Sequence, residues 1–291
     1  MSAVKVAAVS APFGRDLEDC FVRIGAILDQ ARSRGAALVV LPECALGGYL
    51  KDHAGDNSEA PDLPPVLDPD GPEIARLIRM AGDTVITAGY CEDAPDGPYN
   101  SAICVNGDGV LGHQRKVHLP IRDRALYSPG ERFEAFDTPV GRLGMMICYD
   151  KVFPEAARAL ALDGAEIVAC MSAWPISRTD PASRLRGVRR FRQFDLFDQA
   201  RAAENQVVWV SSNQTGSFGG LRFLGHAKVV DPEGRILRRT RVRAGVAVAQ
   251  VDPLAMRMRA RYPLVHLEER RPGAYAGVGA SEAEVASAAL A

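Results

Sequence analysis

Residues Gly141–Arg158 read GRLGMMICYDKVFPEAAR. Gly141 to Cys148 is an apolar run of strand length, and the residues from Pro154 to Leu162 read as a helix. This strand-then-helix unit recurs on the C-terminal side. Ala165–Met171 predicts a strand, Phe191–Glu204 a helix and Val207–Ser211 the next strand. On the N-terminal side Val4–Val9 predicts a first strand. Phe21–Arg34 carries Phe21, Ile24, Ile27, Leu28 and Ala31 at helical spacing, and Ala36–Leu41 (AALVVL) is continuous enough to be buried on both faces. Asp- and Pro-rich Gly55–Pro72 predicts a surface loop, and Glu73–Met80 a short helix. Thr84–Tyr90 and Tyr99–Val105 predict successive strands, with the turn Asn106-Gly107-Asp108-Gly109 leading into Val110–His118. A late hairpin is expected from Gly225–Val230 and Arg235–Arg238 around Asp231-Pro232-Glu233-Gly234. The alternation argues for an α/β protein. Neither a linker nor a repeat divides it, so one domain is expected over 1–276, followed by a loose tail over 277–291.

The chain has 291 residues, 47% of them hydrophobic, which is ample for one core. A formal charge of -1 and a pI near 6.5 argue against a nucleic-acid partner. The arginine-rich stretch Arg184–Arg192 alternates with Leu185, Val188, Phe191 and Phe194, the pattern of an amphipathic surface helix. No apolar run is long enough to span a bilayer, and the N-terminal residues lack the pattern of a signal peptide. The six cysteines (20, 44, 91, 104, 148 and 170) form no CxxC pair or regular framework, so reduced thiols and a cytoplasmic location are expected. The five histidines show no metal-ligand spacing, and neither a metal nor an organic cofactor is expected.

Three polar residues stand where apolar runs end: Glu43 after AALVVLP, Lys116 after the hairpin strand and Cys148 after GRLGMMI. Strand ends are where α/β sheets gather reactive groups. A cysteine at a strand-to-helix turn is expected to be partly exposed and close to backbone N–H groups, both of which favour a thiolate. Taken singly, each residue has an ordinary alternative: a loop-capping carboxylate, a solvated lysine, a core cysteine.

The ordered set of segments decides between these. LPE at 41–43, RKVHLP at 115–120, SPGERF at 128–133, GRLGMMICYDKVFPEAAR at 141–158, RAAENQVVWVSSNQTG at 201–216 and GHAKVVDPEGRIL at 225–237 together resemble the nitrilase superfamily of carbon–nitrogen hydrolases, in its amidase-like branch. The resemblance spans about Val4 to Tyr275. It implies a four-layer αββα sandwich and a Glu–Lys–Cys triad carried onto Glu43, Lys116 and Cys148. Many members place a second glutamate before the PG of the segment after KxHL. Here the stretch is IRDRALYSPG, and Asp123, one methylene shorter, is the nearest carboxylate, expected as an auxiliary base or orienter if it reaches the lysine and as a solvated loop aspartate otherwise. The resemblance also places Trp174 in the substrate pocket, with Tyr49 and Tyr149 as further wall residues. His118 is expected to be packed and hydrogen-bonded rather than catalytic, and Cys44 to be buried packing. Arg178, Arg184 and Arg186 could pair with a substrate carboxylate, but a solvated basic loop is the preferred reading.

The expected reaction is hydrolysis of a small amide to a carboxylate and ammonia through a thioester on Cys148. The tripeptide Cys148-Tyr149-Asp150 resembles amidase and carbamoyl-hydrolase branches more than nitrilases. An N-carbamoyl hydrolase and then a nitrilase are the nearest alternatives. A non-catalytic binding member of the fold, or a papain-like hydrolase using Cys148 and His118, are the alternatives of a different kind. The family pairs into an αββααββα stack, so at least a homodimer is expected, with Pro154–Leu162 and Phe191–Glu204 contributing to the contact.

Overall fold

The computed structural model describes residues 3–51, 63–176 and 188–275. Strand β1 (Val4–Ala11) organises the sheet. It runs parallel to β2 (Leu38–Val40) and antiparallel to β14 (Gly245–Val251). Its last two residues, Ser10 and Ala11, leave that layer to pair with Asn213 and Gln214 of β10 (Val208–Phe218). The first layer continues from β2 through β4 (Val85–Glu92) and β5 (Tyr99–Asn106) to β6 (Gly109–Arg115), with the short β3 (Val66–Leu67) beside β4. The second runs from β10 through β9 (Ile167–Ser172) and β8 (Gly141–Ile147) to β7 (Ala135–Thr138). Beside β10 lie β11 (Leu221–Leu224) and β12 (Lys228–Val230), and β13 (Ile236–Arg239) pairs with β12.

Alternation of side chains across each strand divides the apolar residues between two faces. Val6, Ala8, Leu38 and Val40 of the first layer meet Met145, Ile147, Ile167, Ala169 and Val210 of the second in one core. Their neighbours Ala7, Val9, Val39 and Leu41 face outward onto α1 (Leu17–Arg32) and α2 (Pro72–Ala81). Met146, Val168, Cys170 and Trp209 likewise belong to the core that includes α3 (Pro154–Leu162) and α4 (Arg189–Asn205). The result is helix, sheet, sheet, helix in a single domain, the αββα sandwich that the sequence led us to expect. Two-sided burial explains why β2 and β9 up to Met171 read as unbroken apolar runs. No helix among the described residues is long and apolar enough to cross a membrane.

Some boundaries differ from expectation. Helix α1 starts four residues early because Asp16 caps it, accepting the Asp19 N–H at 3.0 Å. The strand expected over Val207–Ser211 continues to Phe218, because its polar residues have partners inside the protein. Ser212 donates to Val40 O, Asn213 to Gly225 O and Gln214 to Glu43 O. Helix α4 begins at Arg189, so Arg184 and Leu185 of the expected amphipathic stretch lie outside the described residues, as does the tail over 277–291. Strand β14 and helix α5 (Pro253–Ala260), which no sequence pattern had marked, close the first layer and the C-terminal side.

Candidate active site

Glu43 follows β2 by three residues, on a turn in which Cys44 takes φ +53. The turn sits directly on Gly89 of β4. A Cβ there would lie 2.4 Å from the Cys44 N and 2.8 Å from the Glu43 Cα, so only glycine lets the turn approach. The carboxylate is fully buried with three donors. Oε1 accepts from Asn100 Nδ2 at 2.8 Å and Lys116 Nζ at 2.7 Å, and Oε2 accepts from the Ala173 N–H at 2.6 Å.

Lys116 leaves the end of β6 with its backbone fixed on both sides, donating N–H to Asn100 O and accepting from the Gly130 N–H. Its ammonium lies 2.6 Å from Asp123 Oδ2 as well as 2.7 Å from Glu43. Burial alone would favour the neutral amine, but Asp123 and Glu43 reverse this and hold the lysine charged, well above its ordinary pKa. Asp123 opens a short 3-10 turn, and its other oxygen accepts from the Tyr49 hydroxyl at 2.7 Å. The shorter side chain therefore does reach the lysine, because this turn brings its backbone in and Tyr49 closes the far side.

Cys148 begins the 3-10 turn Cys148–Val152 at φ +51, a strained conformation for a residue other than glycine. Burial and the Glu43 carboxylate push its thiol well up, against Lys116, the Ala173 N–H and Lys151. This corrects one expectation from the sequence. The cysteine is only 6% exposed, and burial beside Glu43 favours its protonated form over the expected thiolate.

Tyr49 packs edge-on against Phe223 at 6.2 Å between ring centroids. Trp174 is buried, its backbone N–H donating to Asn213 Oδ1 and its ring packed on Phe194 and Phe197. Tyr149, half-buried, packs edge-on against Phe153. His118 stacks on Phe153 at 3.8 Å, and both its backbone N–H and its Nδ1 bond to Asp150 Oδ1. Asp150 also accepts the Ile147 N–H, so it ties the Lys116 segment to the Cys148 turn. Cys44 is buried packing. Arg178, Arg184 and Arg186 lie outside the described residues. Sequence reasoning missed Asn100, Phe223 and the Ala173 N–H. Asn100 shares the strand YNSAICVN with Ser101 and Asn106, so it did not stand out, and the N–H of an alanine leaves no signal. Among the described residues, no group of His, Cys, Asp and Glu is arranged to hold a metal ion.

Comparisons with known proteins identify the family and the fold. The carbon–nitrogen hydrolase family model matches residues 5–260. A nitrilase from Pyrococcus abyssi is 33% identical over 231 residues, covering 78% of this chain and 80% of its own length. The deaminated glutathione amidase of Bos taurus is 31% identical over 282 residues, covering 91% and 81%. The crystal structure of a carbon–nitrogen hydrolase from Helicobacter pylori superposes with a TM-score of 0.80 at 23% identity, over 96% of this chain and 99% of the other, which shows the shared fold. With a match across most of its length and relatives above 30% identity, the chain belongs to the carbon–nitrogen hydrolase family and is a carbon–nitrogen hydrolase.

Proposed function

We propose that the protein is an amidase, hydrolysing a small amide to a carboxylate and ammonia with Cys148 as nucleophile. The observation that carries this reading is one buried ammonium, Lys116, held between two carboxylates on the same side as a buried thiol. In the first step Sγ attacks the carbonyl carbon while Glu43 takes the thiol proton. The carbonyl π pair moves to oxygen, and the oxyanion is met by the Lys116 ammonium and the Tyr149 N–H. The oxyanion then collapses. The C–N bond breaks, Glu43 returns the proton to nitrogen, and ammonia leaves a thioester on Cys148. Water, deprotonated by Glu43, attacks the thioester; the C–S bond breaks and the thiol regains its proton. Asp123 keeps Lys116 charged and aimed, and Tyr49, Tyr149 and Trp174 wall the acyl group.

We also propose a homodimer in contact through α3 and α4, and a reducing, cytoplasmic setting in which the six free cysteines persist as thiols. The test of the reaction is ammonia release from aliphatic amides, ω-amides, N-carbamoyl amino acids and nitriles, run beside Cys148→Ala, with intact mass recorded on both. Amide turnover and an acyl adduct that vanish together in the variant support the reading. Carbon dioxide released with the ammonia would make the substrate a carbamoyl compound instead. Silence across the panel, with Cys148 inert to iodoacetamide, would make the protein a binding member of the fold.

A further inference from the structure

Beneath the Cys148 turn lies a second buried charge cluster that the proposed chemistry does not use. Lys151, Asp198 and Lys228 are each fully buried. Lys151 Nζ bonds to Asp198 Oδ1 at 2.9 Å, and Lys228 Nζ to Asp198 Oδ2 at 2.6 Å. The two ammoniums lie 3.4 Å and 3.9 Å from the centroid of the Phe194 ring. The Trp209 indole N–H donates to Asp198 Oδ1, while Asp195 takes Lys228 and His226 at the edge of the cluster. Burial pushes the Asp198 carboxyl up, but the two lysines outweigh it and hold the group ionised.

Such a cluster is a poor way to gain stability, since desolvating the charges offsets most of their attraction. Its position suggests a different use. Lys151 belongs to the same short turn as Cys148, and α4 grips that turn three times. Asp198 holds the Lys151 ammonium, Arg201 Nε donates to Lys151 O at 2.9 Å, and Arg201 NH2 donates to Val152 O at 2.8 Å. From the other side Asp150 holds the Ile147 and His118 N–H groups. A non-glycine residue stays at positive φ only when its surroundings overdetermine it. The Lys151 ammonium also lies 5.2 Å from the Trp174 ring, so the same charge buttresses the pocket wall.

We propose that Lys151, anchored by Asp198, is a positioning residue for the nucleophile: it fixes the turn that presents Cys148, whereas Lys228 only neutralises the same carboxylate. The inference rests on Cys148 being the nucleophile. Iodoacetamide alkylation reads that thiol without any substrate, so a wrong substrate assignment would not disturb the test.

The experiment compares Lys151→Met with Lys228→Met, which remove equally buried partners of one aspartate. Thermal unfolding, the rate of Cys148 alkylation, and kcat and KM on the best substrate are measured for both. Both variants are expected to lose stability to a similar degree. Lys151→Met should slow alkylation about tenfold and lower kcat with KM nearly unchanged, while Lys228→Met stays within about twofold of the parent on both rates. Equal effects of the two variants, or an unchanged alkylation rate in Lys151→Met, would overturn the proposal. If Lys151→Met does not fold, Asp198→Asn replaces it, keeping the shape and removing the anchor. Slowed alkylation in that folded variant supports the proposal, and an unchanged rate refutes it.

Discussion

The Asp123 carboxylate reaches the Lys116 ammonium at 2.6 Å while its second oxygen takes the Tyr49 hydroxyl at 2.7 Å. One short acid thereby fixes a cation and orients an aromatic residue above it, since Lys116 Nζ lies 5.9 Å from the Tyr49 ring centroid. Glu43 is left as the partner of Lys116 that also sits close enough to raise the thiol.

Asp123→Asn keeps the size and the acceptor for Tyr49 but removes the charge. Lys116 then loses the larger of its two stabilising carboxylates. We expect kcat to fall on the order of tenfold or more with the fold intact, since a fixed charge near the developing oxyanion is weakened. Steady-state kinetics beside circular dichroism check this. Unchanged kcat would leave Asp123 a structural group only.

Glu43→Gln should separate acidity from catalysis. The Glu43 charge raises the Cys148 thiol, so removing it must lower the thiol's midpoint. Turnover should nevertheless fall at least about a hundredfold, because no base remains to carry the proton. Alkylation rate against pH and amide turnover give the two readings. A midpoint that rises would mean that Glu43 does not act on the thiol as described.

Glu92 predicts part of the acid response. Burial pushes its carboxyl up, but bonds from His113, Arg115 and Ser101 outweigh this and hold it at about 2, below the ordinary 4.5. A depressed carboxyl contributes stability that is complete above the unfolded value and lost as pH falls through the folded one. The unfolding temperature should therefore drop between about pH 4.5 and 2, and Glu92→Gln should flatten part of that slope. The rest is expected from Asp195, held at about 2 by His226 and Lys228 against the opposing effect of burial.

The dimer proposal is tested on the outer faces of α3 and α4, where Leu162 is 51% and Leu196 63% exposed. Sedimentation at micromolar concentration should give at least a dimer, and Leu196→Glu should move it toward monomer by placing a charge in an apolar contact. A parent protein that sediments only as monomer would refute the arrangement.

The fold was legible wherever burial is two-sided. AALVVL marked β2 and its stop at Pro42-Glu43, and the Gly107-Asp108 turn placed the β5–β6 hairpin correctly. It was illegible where polar groups are satisfied inside the protein. Ser212, Asn213 and Gln214 read as the end of a strand although their side chains stitch β10 to β2, to Gly225 and to the Glu43 turn. Lys151, Asp198 and Lys228 were not singled out for the same reason, because a sequence does not show that three charges in distant segments neutralise one another in a core. Glu43, Lys116 and Cys148 stood out through the ordered motifs. The Ala173 N–H and the seat at Gly89 are backbone properties with no side-chain signature.

The two-layer construction described above has a consequence for the time before the fold is complete. Glu43 and Lys116 come from the layer of β2 and β6, while Cys148 and Ala173 come from the layer of β8 and β9. A partly folded chain with only one layer native holds Glu43 and Lys116 or Cys148 and Ala173 in place, never both sets. On the roles proposed for Glu43 and Cys148, turnover arrives only with docking of the layers and, more than any spectroscopic signal from one sheet, reports that final step.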